Sequence, residues 1–127
     1  MVTLAEIMTA DVLTVAPDSP VAAVAAAMVK GRIGSAVVMQ GQMLVGIFTE
    51  RDVLRSAASG GDLARSPVSQ WMTPDPETAE PNVDSERAAE IMLGNGFRHL
   101  PVVEGNALVG IVSLRDLLSI RIRRHPS

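Results

Sequence analysis

The sequence predicts an α/β (α+β) protein made of two tandem copies of one small unit. Three observations carry this. The chain matches itself without a gap when shifted by 64 residues, and between 3–54 and 67–118 it is identical at 16 of 52 positions. Each copy holds two apolar runs around a polar, glycine-bearing turn, the pattern of a hairpin. Helix-forming stretches with start and stop signals flank those runs. The expected order in each copy is helix, strand, helix, strand, strand, helix. Motif 1 occupies residues 1–60 and motif 2 residues 61–127.

Motif 1 opens with Thr3 and Glu6 at capping-box spacing. In motif 2, Ser66 is the expected N-cap and Pro67 the first helical residue. Residues 13–15 read as extended. Ser19-Pro20 starts a helix over 22–30, and its counterpart runs from near Asp84 to about Leu93. Gly31 and Gly94-Asn95-Gly96 are expected to end these helices, because glycine enters the left-handed region without a Cβ penalty. The hairpins are 35–39 with 43–48, and 100–103 with 107–112. Closing helices cover 50–58 and 114–123. One such unit is small for independent stability. The two are therefore expected to pack about a pseudo-twofold axis into one module, joined by a linker at 57–62.

Of the 127 residues, 47% are hydrophobic and 20% charged, so a core forms without staples. The aromatic residues are Phe48, Phe97 and Trp71, which leaves the core to aliphatic side chains. Met8, Met28, Met72 and Met92 recur as expected core filler. A net charge of −3 gives no attraction to nucleic acid or to an anionic membrane. The basic cluster at 121–125 suits a helix C-terminus. Without cysteine there are no disulfides or thiolate sites. Lacking a signal-like start or a long apolar run, the chain reads as cytoplasmic. It carries no nucleophile motif, phosphate loop or metal-ligand spacing, so neither catalytic residues, metal ligands nor cofactors are expected.

The segments Gly46-Ile47-Phe48-Thr49-Glu50-Arg51-Asp52 and Gly110-Ile111-Val112-Ser113-Leu114-Arg115-Asp116, with the duplication and the element order, resemble the CBS (cystathionine-β-synthase-type) domain, whose tandem pair is a Bateman module. Arg98-His99-Leu100-Pro101-Val102-Val103 resembles the strand of a second motif. The resemblance covers nearly the whole chain. It implies clefts between the motifs that take AMP, ADP, ATP or S-adenosylmethionine as regulatory ligands. It also implies a homodimer, or a separate protein partner, through which a free-standing pair acts.

Each candidate residue has two readings. Thr49 with Asp52, and Ser113 with Asp116, are capping boxes that need no ligand. The same helix starts favour phosphate, and either carboxylate can accept both hydroxyls of a ribose. Arg51 and Arg115 belong to the same motifs. Gly46 and Gly110 permit a bulge, or let a ligand approach backbone. Thr14 and Thr78 are strand-formers, or, by the resemblance, lie where backbone at 13–15 and 77–79 reads an adenine edge. Arg98 and His99 align with Gly34 and Ser35. They are a solvated arginine and a packed histidine, or the cationic side of a phosphate site. That difference predicts unequal sites. The competing reading is a structural interaction module without ligand, dimerising through helix faces such as Val21, Val24 and Met28.

Overall fold

The protein is described here by a computed structural model covering residues 1–124. In chain order its elements are helix α1 (Leu4–Ile7), strand β1 (Thr14–Val15), α2 (Val21–Gly31), β2 (Ser35–Gln40), β3 (Met43–Thr49), α3 (Glu50–Ala58), a 3₁₀ turn (Val68–Gln70), β4 (Thr73–Pro74), α4 (Ser85–Asn95), β5 (His99–Glu104), β6 (Ala107–Ser113) and α5 (Leu114–Arg124). Of the basic tail, residues 121–124 continue the backbone of α5, and His125 lies outside the described residues.

The chain folds as two compact units, and neither coincides with a sequence repeat. One is Leu13–Pro76; the other joins Met1–Val12 to the chain from Glu77 onward. The break falls at 12/13 and 76/77 rather than in the glycine-bearing stretch at 57–62. Backbone hydrogen bonds explain why. Leu4 N–H donates to the Val83 carbonyl at 2.9 Å and Ser85 N–H to that of Val2 at 2.8 Å. The equivalent pair in the other unit is Val68 N–H to Ser19 and Val21 N–H to Ser66, at 2.9 and 2.8 Å. The opening segment of each repeat thus docks on the head of the long helix of the other.

In the Leu13–Pro76 unit the strand order is β1-β2-β3-β4, with β1 parallel to β2 and the other pairs antiparallel. The two-residue loop Gly41-Gln42 has positive φ only at Gly41, as a type II′ turn requires. Alanine-rich α2 buries Val21, Val24 and Met28, one helical face at i, i+3 and i+7 spacing. They pack with Ala36, Val38, Phe48 and Val68. In the other unit α4 buries Ser85, Ala88 and Met92 at the same spacing. Ala88 and Met92 join Leu4, Leu100, Val102, Val112 and Leu117 in its core. There β5 and β6 form the hairpin, flanked by single bridges from Ala79 to Val102 and from Thr9 to Ile111. The first flank is shorter for a chemical reason. Val37 N–H donates to the Leu13 carbonyl at 2.9 Å, but its repeat equivalent is Pro101, which has no N–H.

Three expectations are corrected. The segment after Ser66-Pro67 is one 3₁₀ turn with Pro67 at the cap, because the Ser66 hydroxyl donates to the Asp62 carbonyl at 3.0 Å instead of capping. Gly31 is the last helical residue of α2, and the left-handed position falls on Arg32 at φ 54. In the second repeat it falls on Gly96, at φ 75. Val21, Val24 and Met28 are buried within their own unit and cannot form a dimer face. Among the described residues, the large apolar side chains exposed on helices are instead Val29 and Leu93, and Leu54 and Leu118, two repeat-equivalent pairs.

A non-glycine residue in the left-handed region costs about 1 kcal/mol. Arg32→Gly is therefore expected to stabilise the fold by about 0.5–1 kcal/mol, and Gly96→Ala to destabilise it by about 1 kcal/mol. Urea unfolding midpoints at unchanged m-value check both.

Candidate functional site

The two candidate sites are built at the same place in each unit, where the second hairpin strand runs into its closing helix. In α3, Thr49 is the N-cap and Asp52 the third residue, with the box closed in both directions. Thr49 N–H donates to Asp52 Oδ2 at 2.9 Å and the Thr49 hydroxyl to the same oxygen at 3.3 Å. In α5, Ser113 N–H donates to Asp116 Oδ2, and Asp116 N–H to the Ser113 hydroxyl, both at 3.1 Å. A third donor at each start is bound to backbone. Glu50 N–H reaches the Gly34 carbonyl at 3.1 Å, and Leu114 N–H reaches that of Arg98 at 2.8 Å. A helix start leaves four N–H groups unpaired. Among the described residues, the caps and these carbonyls take all but one, the N–H of Arg51 in one unit and of Arg115 in the other.

Gly34 and Arg98 thus share a backbone role, which leaves the side chain at that position unconstrained. Arg98 is exposed, and His99 is half-buried and paired in register with Ser113. Its counterpart Ser35 is buried opposite Thr49. Thr14 and Thr78 are both exposed: Thr14 in β1 beside Val37, Thr78 just before the bridge from Ala79 to Val102. Each unit therefore gathers its own set: Thr14, Gly46, Thr49, Arg51 and Asp52 in one; Thr78, Arg98, His99, Gly110, Ser113, Arg115 and Asp116 in the other.

Gly46 and Gly110 have a packing role. Gly46 sits beside a register shift in the β2–β3 ladder, and Gly110 beside the matching shift in β5–β6. A Cβ added at Gly46 would lie 3.0 Å from Met72 Cγ and 3.1 Å from the Thr73 carbonyl. At Gly110 it would lie 2.9 Å from Met8 Cγ and 3.1 Å from the Thr9 carbonyl. The Met-Thr pair of each repeat therefore lies directly on the glycine of the other.

Two residues the sequence reading missed are Arg55 and Trp71. Arg55 Nη1 pairs with Asp52 Oδ1 at 3.0 Å, and its guanidinium stands 5.7 Å from the Trp71 ring centroid. The Trp71 indole N–H is buried without a hydrogen-bond partner among the described residues. The i, i+3 spacing of Asp52 and Arg55 on a helix was the signal that could have found the pair. Asp52 is 5% exposed, whereas Asp116 is half-buried and in no ion pair among the described residues. No group of acidic or histidine side chains among the described residues could hold a metal ion, and no described helix is long and apolar enough to cross a membrane.

This fold, with two duplicated strand-to-helix corners, is that of a tandem CBS pair. Residues 4–59 and 68–123 each match the CBS domain, and the chain belongs to that family. It is 36% identical over 118 residues to the CBS domain-containing protein YhcV of Bacillus subtilis, covering 92% of this chain and 84% of that one. A CBS-domain protein of Burkholderia ambifaria superposes with a TM-score of 0.92 at 27% identity, covering 99% of this chain and 98% of the other. The CBS pair of protein MJ0100, solved with 5′-methylthioadenosine and S-adenosyl-L-methionine, shares the fold with a TM-score of 0.90 at 21% identity, over 98% of both chains.

Gly46→Ala and Gly110→Ala are each expected to destabilise the protein by about 2 kcal/mol, the scale of overpacking against a backbone that cannot move away. Adding Met72→Ala to Gly46→Ala should recover part of the loss, since Met72 is the flexible half of the clash. Denaturant unfolding of the single and double variants measures this.

Proposed function

We propose that this CBS pair is a non-enzymatic regulatory module that binds an adenosyl ligand, AMP, ADP, ATP or S-adenosylmethionine, and signals through self-association or a partner protein. The carrying observation is the duplicated corner. Each unit sets a carboxylate, Asp52 or Asp116, and a hydroxyl, Thr49 or Ser113, at a helix start with one N–H left over. A ribose diol needs an acceptor for two O–H groups, and a phosphate needs N–H donors at a helix start. Arg98 supplies the cation for a phosphate and His99 lines the same strand entry. Thr14 and Thr78 mark the extended segments where backbone groups meet the base. Family membership supports the ligand class, and the MJ0100 pair holds such ligands on the same fold. For self-association, Val29, Leu54, Leu93 and Leu118 are the apolar side chains a second copy can cover.

A ligand bound only by the folded state stabilises it by RT ln(1 + [L]/Kd), about 2.7 kcal/mol at a hundredfold excess over Kd. Thermal melts should rise with at least one of AMP, ADP, ATP and S-adenosylmethionine. The rise should shrink in Asp116→Ala or Asp52→Ala according to which site is filled. A melt blind to all four at millimolar concentration contradicts the proposal.

One observation favours the ligand-free interaction module instead: both capping boxes are already closed, so neither carboxylate needs a ligand to be satisfied. That reading predicts melts blind to every adenosyl compound, with aspartate variants that lose only cap stability, about 1 kcal/mol. Self-association belongs to both readings. Leu54→Glu and Leu118→Glu should each weaken it in sedimentation experiments, and a wild-type chain that sediments only as monomer removes that part of the account.

A further inference from the structure

We infer that Arg55 is a built-in competitor for the Asp52 carboxylate, so that the two sites fill in order, Asp116 first and Asp52 only when Arg55 is displaced. This rests on the adenosyl-binding reading above and names what makes its two sites unequal. Asp52 is engaged at both oxygens. Thr49 holds Oδ2 with its N–H and hydroxyl, and Arg55 holds Oδ1 at 3.0 Å. A ribose hydroxyl reaching Oδ1 must share it with the guanidinium or replace it. Arg55 is held from a second side by the Trp71 ring beneath it.

Neither partner recurs in the other repeat. Ser119 stands at the Arg55 position and donates its hydroxyl to the Arg115 carbonyl at 3.0 Å, turning away from Asp116. Ile7 stands at the Trp71 position and packs into its own core. Asp116 keeps one oxygen in the cap and is in no ion pair among the described residues. The backbone points the same way. The Leu13 carbonyl accepts from Val37, whereas Pro101, at the Val37 position of the other repeat, has no N–H to give the equivalent carbonyl of Glu77. The Glu77 carbonyl, in the unit that holds Asp116, is thereby left without the bond that its Leu13 counterpart accepts, and can take an adenine amino group.

A part-exposed ion pair and a cation–π contact together correspond to about a tenfold difference in affinity. Calorimetric titration of the full chain with AMP, ATP and S-adenosylmethionine, on wild type, Asp116→Asn, Arg55→Ser and Arg55→Gln, tests the ordering. Wild type should show a tighter and a weaker step. Asp116→Asn should remove the tighter one. Both Arg55 variants should tighten the weaker step about tenfold and leave the tighter one in place. Trp71, the one tryptophan of the chain, gives an independent readout. In wild type its emission should follow the weaker step alone. An unchanged weaker step in both Arg55 variants, or loss of the weaker step rather than the tighter one in Asp116→Asn, overturns this inference while leaving adenosyl binding intact. Absence of binding in all four proteins overturns the adenosyl reading and this inference together.

Discussion

Two methionines lying on two glycines organise this structure. Met72 over Gly46 and Met8 over Gly110 bring the Met-Thr segment of one repeat against the hairpin of the other, close enough that no side chain fits beneath. The contact is continued by backbone bonds: Thr9 and Ile111 exchange N–H donors at 2.9 Å, and Asp75 N–H reaches the Val45 carbonyl at 3.1 Å. Each compact unit therefore needs a segment from both halves of the duplication. A single repeat would keep its hairpin and its two longer helices but lose the flank that covers the glycine. The instability expected of a lone unit of this size thus has a specific cause.

The closing corner depends on that flank. The glycine lies three residues before the N-cap, at Gly46 before Thr49 and Gly110 before Ser113, so its position helps set where strand ends and helix begins. The capping boxes then fix the carboxylates. The same groups that hold the corner are the ones a ribose or phosphate would engage, which is why cap and ligand readings coincide at these residues. What separates the corners is Arg55 and Trp71 on one side and Ser119 and Ile7 on the other.

The sequence displayed most of this wherever the physics is local. Capping boxes at Thr3, Thr49 and Ser113, the Asp84 cap of α4 and both glycine turns follow from spacing within a few residues. The exchange of opening segments was not legible, because a repeat records similarity between segments and not which copy each one packs against. Arg32 escaped because nothing local marks a non-glycine residue as left-handed when a glycine sits beside it. The buried face of α2 was misread as a dimer face because an alanine-rich helix has little contrast between its sides: Ala22 and Ala26 are exposed while Val21 and Val24 are buried. The Asp52–Arg55 pair was readable from helix spacing and from its absence in the second repeat.

The most direct test of the account is an amide chemical-shift titration of the full chain with AMP and S-adenosylmethionine. Arg51 and Arg115 carry the one first-turn N–H in each corner that neither cap nor backbone takes among the described residues. The account predicts that the amides of Arg115 and of its neighbours in the Ser113–Asp116 corner move first, with those around Thr78. Arg51 should follow at higher concentration. Shifts absent from both corners at millimolar ligand, or confined to residues remote from them, would contradict it.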